Sequence, residues 1–198
     1  MIIVRHRINK ADLLRDCKLS QGVEIDLRSD SEGLYLSHDP FAPGERFLDF
    51  LEKYQHQLLI VNVKEDGLED SVTRELALRE IKNYFFLDQA DPTIIRRGKI
   101  GLRDSAIRFS EYESLETVRA MAQFASWVWI DSFSKRELNL DLISEFSNLG
   151  LKTCLVSPEL HDLAREPEAD DLVEQCIRFG IRFDAVCTKY PEKWEVLA

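Results

Sequence analysis

With 198 residues, 44% of them hydrophobic, the chain is long enough for one full core, so a single domain over residues 1–198 is expected. A formal net charge of -10 excludes the basic face that sequence-independent nucleic-acid binding requires. Cys17, Cys154, Cys176 and Cys187 form no CxxC pair and no zinc spacing, which leaves reduced thiols in a cytoplasmic protein as the expectation.

From the N-terminus, MIIVRHR reads as a first strand, Ile2 to Val4, followed by Arg5, His6 and Arg7, and lacks the layout of a secretion signal. Lys10 to Cys17 has helical spacing. Next comes GVEIDLR, a strand over Val23 to Leu27 that puts Glu24 and Asp26 on the same side, because alternate strand residues share a face. The turn SDSEG leads into a short extra strand, Leu34 to His38. A helix is expected over Glu45 to Tyr54 and a third strand over Leu58 to Val63, with Asn62 and Lys64 at its end.

Further along, a helix over Glu69 to Lys82 and a strand over Tyr84 to Leu87 precede Pro92 to Arg97, the segment expected to be the most stunted helix. Ile100 to Leu102 reads as strand five, ending at Arg103 and Asp104. Helices over Ser114 to Gln123, Leu140 to Asn148 and Glu168 to Phe179 alternate with strands over Trp127 to Ile130, Lys152 to Val156 and Asp184 to Cys187. Eight strands alternating with helices predict a compact (β/α)8 TIM barrel with a short hairpin inserted after strand two; an open doubly wound sheet is the alternative. No apolar run approaches the roughly 18 to 20 residues that span a bilayer, so no stable membrane insertion is expected.

In such barrels the chemistry sits at the C-terminal ends of the strands. That rim would collect His6, Glu24, Asp26, His38, Asn62 and Lys64 from separate parts of the chain. Two carboxylates and an amide oxygen make a hard-oxygen site for Mg²⁺ or Ca²⁺. Two histidines beside it suit general acid and base roles, and Lys64 supplies positive charge for a phosphoryl oxygen. Two acids on a barrel strand have no free face for water, and leaving them buried without a cation is costly. Arg103 and Asp104 either hold a substrate phosphate or form a local ion pair. Asp131 either reaches the rim or caps the segment after its strand. Trp127 and Trp129 are expected to pack between barrel and helices. His56 belongs at the stability end, and His161 follows strand seven.

RHR at Arg5 to Arg7, GVEIDLR at Gly22 to Arg28, SHDP at Ser37 to Pro40, VNVK at Val61 to Lys64 and CTKYP at Cys187 to Pro191 come in an order that resembles the glycerophosphodiester phosphodiesterase family, with its sphingomyelinase D-like and phospholipase-C-like relatives. The resemblance implies a phosphoric diester hydrolase acting on a small-molecule phosphodiester. His6 and His38 would be the catalytic pair, Glu24 and Asp26 metal ligands joined by Asn62, and Arg7 and Lys64 the phosphate contacts. Asp39 would hold the loop. Three departures stand out: Asn62 where the family usually has an acid, Lys189 where an Asp is common, and SPEL at Ser157 to Leu160 in place of a tryptophan-containing segment. Asp131 or Glu159 could compensate for the acid missing at position 62. The departures also motivate a second possibility, a barrel that binds a phosphorylated ligand without turnover. Amide- and monoester-hydrolysing metal barrels fit less well, because those usually begin with H-x-H and this chain has His6-Arg7-Ile8.

Overall fold

A computed structural model describes residues 1–134 and 142–198. Along the chain run β1 (Ile2–Arg5), β2 (Gly22–Asp30), β3 (Gly33–Leu36), β4 (Glu45–Arg46), α1 (Phe47–Lys53), β5 (Leu58–Val63), α2 (Glu69–Leu78), β6 (Tyr84–Leu87) and α3 (Asp91–Lys99). There follow β7 (Ala106–Phe109), α4 (Leu115–Met121), β8 (Trp127–Ile130), α5 (Leu142–Asn148), β9 (Lys152–Val156), α6 (Glu166–Phe179), β10 (Ala185–Thr188) and α7 (Pro191–Trp194).

β1 pairs in parallel with β2 on one side and with β10 on the other. From there parallel pairing continues through β5 to β6 and through β9 and β8 to β7. A lone parallel bridge between Phe86 and Ser105 joins the two ends, so the eight strands close into the expected barrel. β3 and β4 add to β2 antiparallel, as the inserted hairpin.

Strand alternation divides the side chains into an inner and an outer set. Val4, Leu58, Ile60, Phe85, Leu87, Ala106, Trp127, Trp129, Cys154, Val156, Ala185 and Cys187 form one buried cluster, the barrel interior. Their strand neighbours, such as Ile25, Val61, Phe86, Val128 and Leu155, pack outward in the clusters shared with the helices. At the closed end the chain needs Gly22, where a Cβ would stand 2.9 Å from the Leu58 carbonyl oxygen and 3.0 Å from a Val4 methyl. Extending the same alternation upward sends Glu24, Asp26, Asn62, Arg108 and Asp131 to the inner face at the C-terminal ends.

Several expectations need correction. Ile100 to Leu102 is the end of α3 and a turn with Gly101 at φ 86°; the fifth barrel strand is Ala106–Phe109. Pro92 to Arg97 is not stunted, since Pro at the first turn starts a nine-residue helix. Lys10 to Cys17 instead holds a 3-10 helix over Ala11–Asp16, whose N-cap Lys10 makes no side-chain cap bond. Trp127 and Trp129 lie inside the barrel, not between barrel and helices, and Trp127 stacks on Phe85 with ring centroids 4.6 Å apart. Of the helix expected over Leu140 to Asn148, Leu140 and Asp141 fall outside the described residues, and α5 begins at Leu142. Among the described residues no helix is long and apolar enough to cross a membrane.

Candidate active site

One half of the barrel mouth is built by β1, β2 and β5. The register pairs Asp26 with Asn62 and Glu24 with Ile60, so both acids and the amide rise from adjacent strands on the same inner face. Glu24 and Asp26 are 1% and 0% exposed. Just past β1 the chain turns sharply, with Arg7 at φ 55°, a left-handed conformation that costs a non-glycine residue energy. The turn aims the Arg7 backbone N–H at Glu24, donating to Oε2 at 2.8 Å, and sets His6 Nε2 3.9 Å from the same oxygen.

Asp26 is held from several sides. Asn9 donates from Nδ2 to Oδ2 at 2.8 Å, and its Oδ1 accepts the Asp26 backbone N–H at 2.8 Å. Lys64 Nζ stands 3.0 Å from Asp26 Oδ1 without the alignment of a hydrogen bond, and Arg7 Nε is 4.0 Å from Oδ2. Asn9 is a site residue that the sequence did not single out, because a lone Asn in a loop carries no spacing signal.

Electrostatics follow from burial. Burial first, then the Asp26 charge, pushes the Glu24 carboxyl up to about 8 from the usual 4.5, against the opposing pull of the Arg7 amide, Lys64 and Asn62. Burial and the Arg7 guanidinium hold the His6 imidazole down at about 3 rather than 6.5, so His6 is neutral at neutral pH.

His38 arrives on the hairpin's exit and is fixed by two partners. Its Nε2 lies 2.6 Å from Arg7 Nη2, and its Nδ1 lies 2.7 Å from Asp39 Oδ1. A guanidinium only donates, so Nε2 accepts and the ring proton sits on Nδ1, directed at Asp39. That contact holds the Asp39 carboxyl below the usual range. Asp39 therefore positions the imidazole rather than merely holding the loop, as sequence reasoning had it. Arg28 Nη2 donates to the His38 carbonyl at 2.9 Å and anchors the same loop.

The donor set fits a hard divalent cation. Asn62 Oδ1 and Asp26 Oδ1 are buried oxygens with no hydrogen-bond partner among the described residues, and they stand beside a carboxyl that burial and the Asp26 charge push toward protonation. A cation would satisfy both oxygens and hold Glu24 ionised. The third oxygen is an amide, in keeping with the absence, among the described residues, of any group of three or more His, Cys, Asp or Glu side chains placed to hold a metal.

The structure does not bring Arg103 to this mouth. Arg103 precedes β7, and its guanidinium donates to the backbone carbonyls of Ala122 and Ala125, at 2.8 Å and 2.7 Å, ahead of β8. It belongs to the closed end, as does Asp104, which pairs with Arg97 at 2.6 Å. His56 also lies at that end, where Nε2 meets the Cys17 carbonyl. Glu159 does not replace the missing acid: Thr188 Oγ1 and the Lys189 N–H donate to its Oε1 at 2.6 Å and 3.0 Å, and Ser157 takes its Oε2.

The opposite half of the mouth comes from β6 to β9. Arg108, on the true fifth strand, reaches both Asp88 and Asp131. Asp131 is 2% exposed and also accepts from Trp129 Nε1 at 3.3 Å and from the Ser132 N–H at 3.2 Å, while His161 Nε2 meets its Oδ1. The Phe133 ring lies 4.5 Å from the His161 ring. Burial raises the thiols of Cys154 and Cys187 inside the barrel, and both also feel Asp131 and Glu24, so the two halves overhang one interior.

No protein-family model matches the sequence, nor does any curated protein. Among solved structures, the chain is similar to a glycerophosphodiester phosphodiesterase from Agrobacterium tumefaciens strain C58, at a TM-score of 0.68 and 13% identity, over 98% of each chain. It is also similar to a glycerophosphoryl diester phosphodiesterase from Parabacteroides distasonis, at a TM-score of 0.69 and 11% identity, over 98% of this chain and 85% of that one. At such identities the likeness speaks for architecture: the chain has the barrel fold of these phosphodiesterase structures.

Proposed function

We propose that the mouth hydrolyses a phosphodiester, of a glycerophosphodiester-like or related kind, with His6 and His38 as acid and base and a divalent cation, Mg²⁺ or Ca²⁺, held by Glu24, Asp26 and Asn62. The observation that carries this reading is a pair of buried oxygens without a hydrogen bond among the described residues, Asn62 Oδ1 and Asp26 Oδ1, the latter faced by the Lys64 ammonium, beside two histidines. The structural neighbours, glycerophosphodiester phosphodiesterases, point to the same reaction class.

When bound, the cation would supply positive charge for the phosphoryl oxygens. Lys64 and Arg7 would bind the same group from the protein side. Neutral His6 takes the proton of the attacking hydroxyl, from water or a neighbouring substrate hydroxyl, as its oxygen bonds to phosphorus. The bond from phosphorus to the leaving alcohol breaks, and His38 Nε2, once Arg7 has turned to the phosphate, relays a proton taken up from solvent to that alcohol. Asp39 keeps the His38 ring oriented and steadies its charged form. Attack by a substrate hydroxyl gives a cyclic phosphate; attack by water gives the opened monoester.

Purified protein should hydrolyse at least one member of a panel of glycerophosphodiesters, lysophospholipids and sugar phosphodiesters when Mg²⁺ or Ca²⁺ is added, with loss of activity in His6→Ala and in His38→Ala. Full activity in both variants, in a verified metal-free preparation, would overturn the mechanism. The Lys64 ammonium at 3.0 Å from Asp26 favours the second reading, a binder of phosphorylated ligands, because it already neutralises one acid. Asn62→Glu separates the two: new metal binding with newly gained hydrolysis favours the binder, and efficient turnover by the wild type ends it.

A further inference from the structure

Three strands end at the mouth in the same way. Val4 on β1, Ile60 on β5 and Cys187 on β10 line the barrel interior. Continuing the alternation puts His6, Lys64 and Lys189 on the inner side, each the first residue past its strand. Lys64 bears out this parity, since its ammonium meets buried Asp26 at 3.0 Å. β10 is the direct neighbour of β1, with Arg5 opposite Thr188 and the His6 N–H donating to the Thr188 carbonyl at 3.2 Å. Burial and then Arg7 hold the His6 imidazole down at about 3, Asp26 pulls the other way, and the Lys189 ammonium is the next charge that the ring feels. Lys189 thus belongs to the charged neighbourhood of His6, Arg7 and Asp26.

The backbone under Lys189 is fixed. Glu159, 1% exposed, accepts the Lys189 N–H at 3.0 Å and the Thr188 hydroxyl at 2.6 Å, and Thr188 Oγ1 accepts the Tyr190 N–H at 2.9 Å. Hydrogen bonds to a buried carboxylate are strong, so the root of the Lys189 side chain stays in place. Its ammonium is left over. Lys193, four residues on, gives its charge to Glu166 and Asp170, at 3.2 Å and 2.7 Å. Lys189 is exposed and pairs with no carboxylate among the described residues.

Charge sets what such a lysine can meet. A phosphodiester carries a single negative charge, and Lys64 and Arg7, with the cation, already answer it. A further protein cation is surplus for that group, so either water or a second anion meets it. A neutral alcohol portion gains nothing from Lys189, one that adds only an ammonium is repelled, and one that bears an anionic group pairs with it.

We propose that Lys189 is a specificity-determining residue whose ammonium pairs with an anionic group, a carboxylate or a phosphate, on the alcohol side of the scissile phosphodiester. As a statement about substrate it rests on the phosphodiesterase reading, and it concerns a position where this chain departs from the family pattern. The test compares kcat/KM at low ionic strength for two pairs of esters that differ by one anionic group. Glycerophosphoserine against glycerophosphoethanolamine reports on the carboxylate, and glycerophosphoinositol 4-phosphate against glycerophosphoinositol on the phosphate. Wild type, Lys189→Met and Lys189→Arg are assayed side by side, and the backbone N–H stays available to Glu159 in all of them. In at least one pair the wild type should prefer the anionic member by roughly threefold or more, Lys189→Met should lower that ratio by about twofold or more, and Lys189→Arg should retain it. Smaller preferences in both pairs, a ratio that Lys189→Met lowers by less, or one that Lys189→Arg loses as fully, overturns the assignment. If no ester turns over, the phosphodiesterase reading fails separately, and titration calorimetry with the same pairs decides Lys189. Tighter binding of an anionic member, lost in Lys189→Met, supports the assignment; equal binding, no binding, or a difference that survives in Lys189→Met overturns it.

Discussion

The two halves of the mouth handle buried charge in opposite ways. On the β1–β2–β5 side, His6 Nδ1, Asp26 Oδ1 and Asn62 Oδ1 are buried without hydrogen-bond partners among the described residues, and burial raises Glu24 toward neutrality. On the far side, Asp131 is fully engaged by Arg108, Trp129, Ser132 and His161. The first half leaves buried oxygens for something else to meet, whereas in the second the protein itself meets Asp131. Unsatisfied polar groups thus mark where chemistry is expected, and satisfied ones mark what keeps the mouth in shape.

The largest effect should come from the unsatisfied half. His6→Ala is expected to lower phosphodiester turnover roughly 100- to 10,000-fold, the usual contribution of a general acid or base, in a steady-state assay with saturating divalent cation. Thermal unfolding should hardly move, because His6 Nδ1 has no hydrogen-bond partner to lose among the described residues.

The satisfied half should respond the other way. Asp131→Ala leaves Arg108 short of one carboxylate and His161 of its partner, so it should cost about 3–5 kcal/mol in chemical denaturation. A loss under about 1 kcal/mol would erase the contrast between the halves.

A third measurement uses pH. The folded His6 binds its proton near 3 rather than 6.5, so its contribution to stability grows as pH rises through that window. The folded Glu24 holds its proton up to about 8 rather than 4.5, so its contribution is present below 4.5 and lost as pH rises through 8. The two oppose each other between 4.5 and 6.5, and only the Glu24 loss remains between 6.5 and 8. In chelator, the melting temperature should fall by several degrees, on the order of 5 °C, across that upper interval. Added Mg²⁺ or Ca²⁺ should flatten the slope, and a slope indifferent to both ions would count against the cation site.

The smallest effect belongs to Arg103→Ala. Its bonds go to backbone carbonyls at the closed end, so about 1 kcal/mol of stability should be lost with hydrolysis unchanged. Impaired hydrolysis would return Arg103 to the site.

That last residue also shows where the sequence stopped being legible. β5, β6, β8 and β9 coincide with the predicted strands because their apolar runs are dense and bounded by turn residues. β7 is only Ala-Ile-Arg-Phe, and the apolar Ile100 to Leu102 six residues earlier imitates a strand better. Choosing that imitation put Arg103 on the rim and hid Arg108. The cluster of His6, Glu24, Asp26, His38, Asn62 and Lys64 was readable because strand ends of one barrel share a rim. Which way a strand's alternate residues face was not always readable: WVWI carries large apolar groups on both sides, and only the closed ring shows both tryptophans turned inward. The Asp39 contact was hidden for a different reason, since adjacency in a loop does not say whether two side chains meet.

The lone bridge at the seam gives Arg108 a second duty. Where the backbone supplies one link between Phe86 and Ser105, a guanidinium clasps Asp88 past the end of β6 and Asp131 past the end of β8, spanning the strand it belongs to. The ring is closed partly by charge instead of by ladder. The Asp88 arm of that clasp is partly open to solvent and yields to salt in a way that backbone pairing does not, while the arm to buried Asp131 is shielded from it.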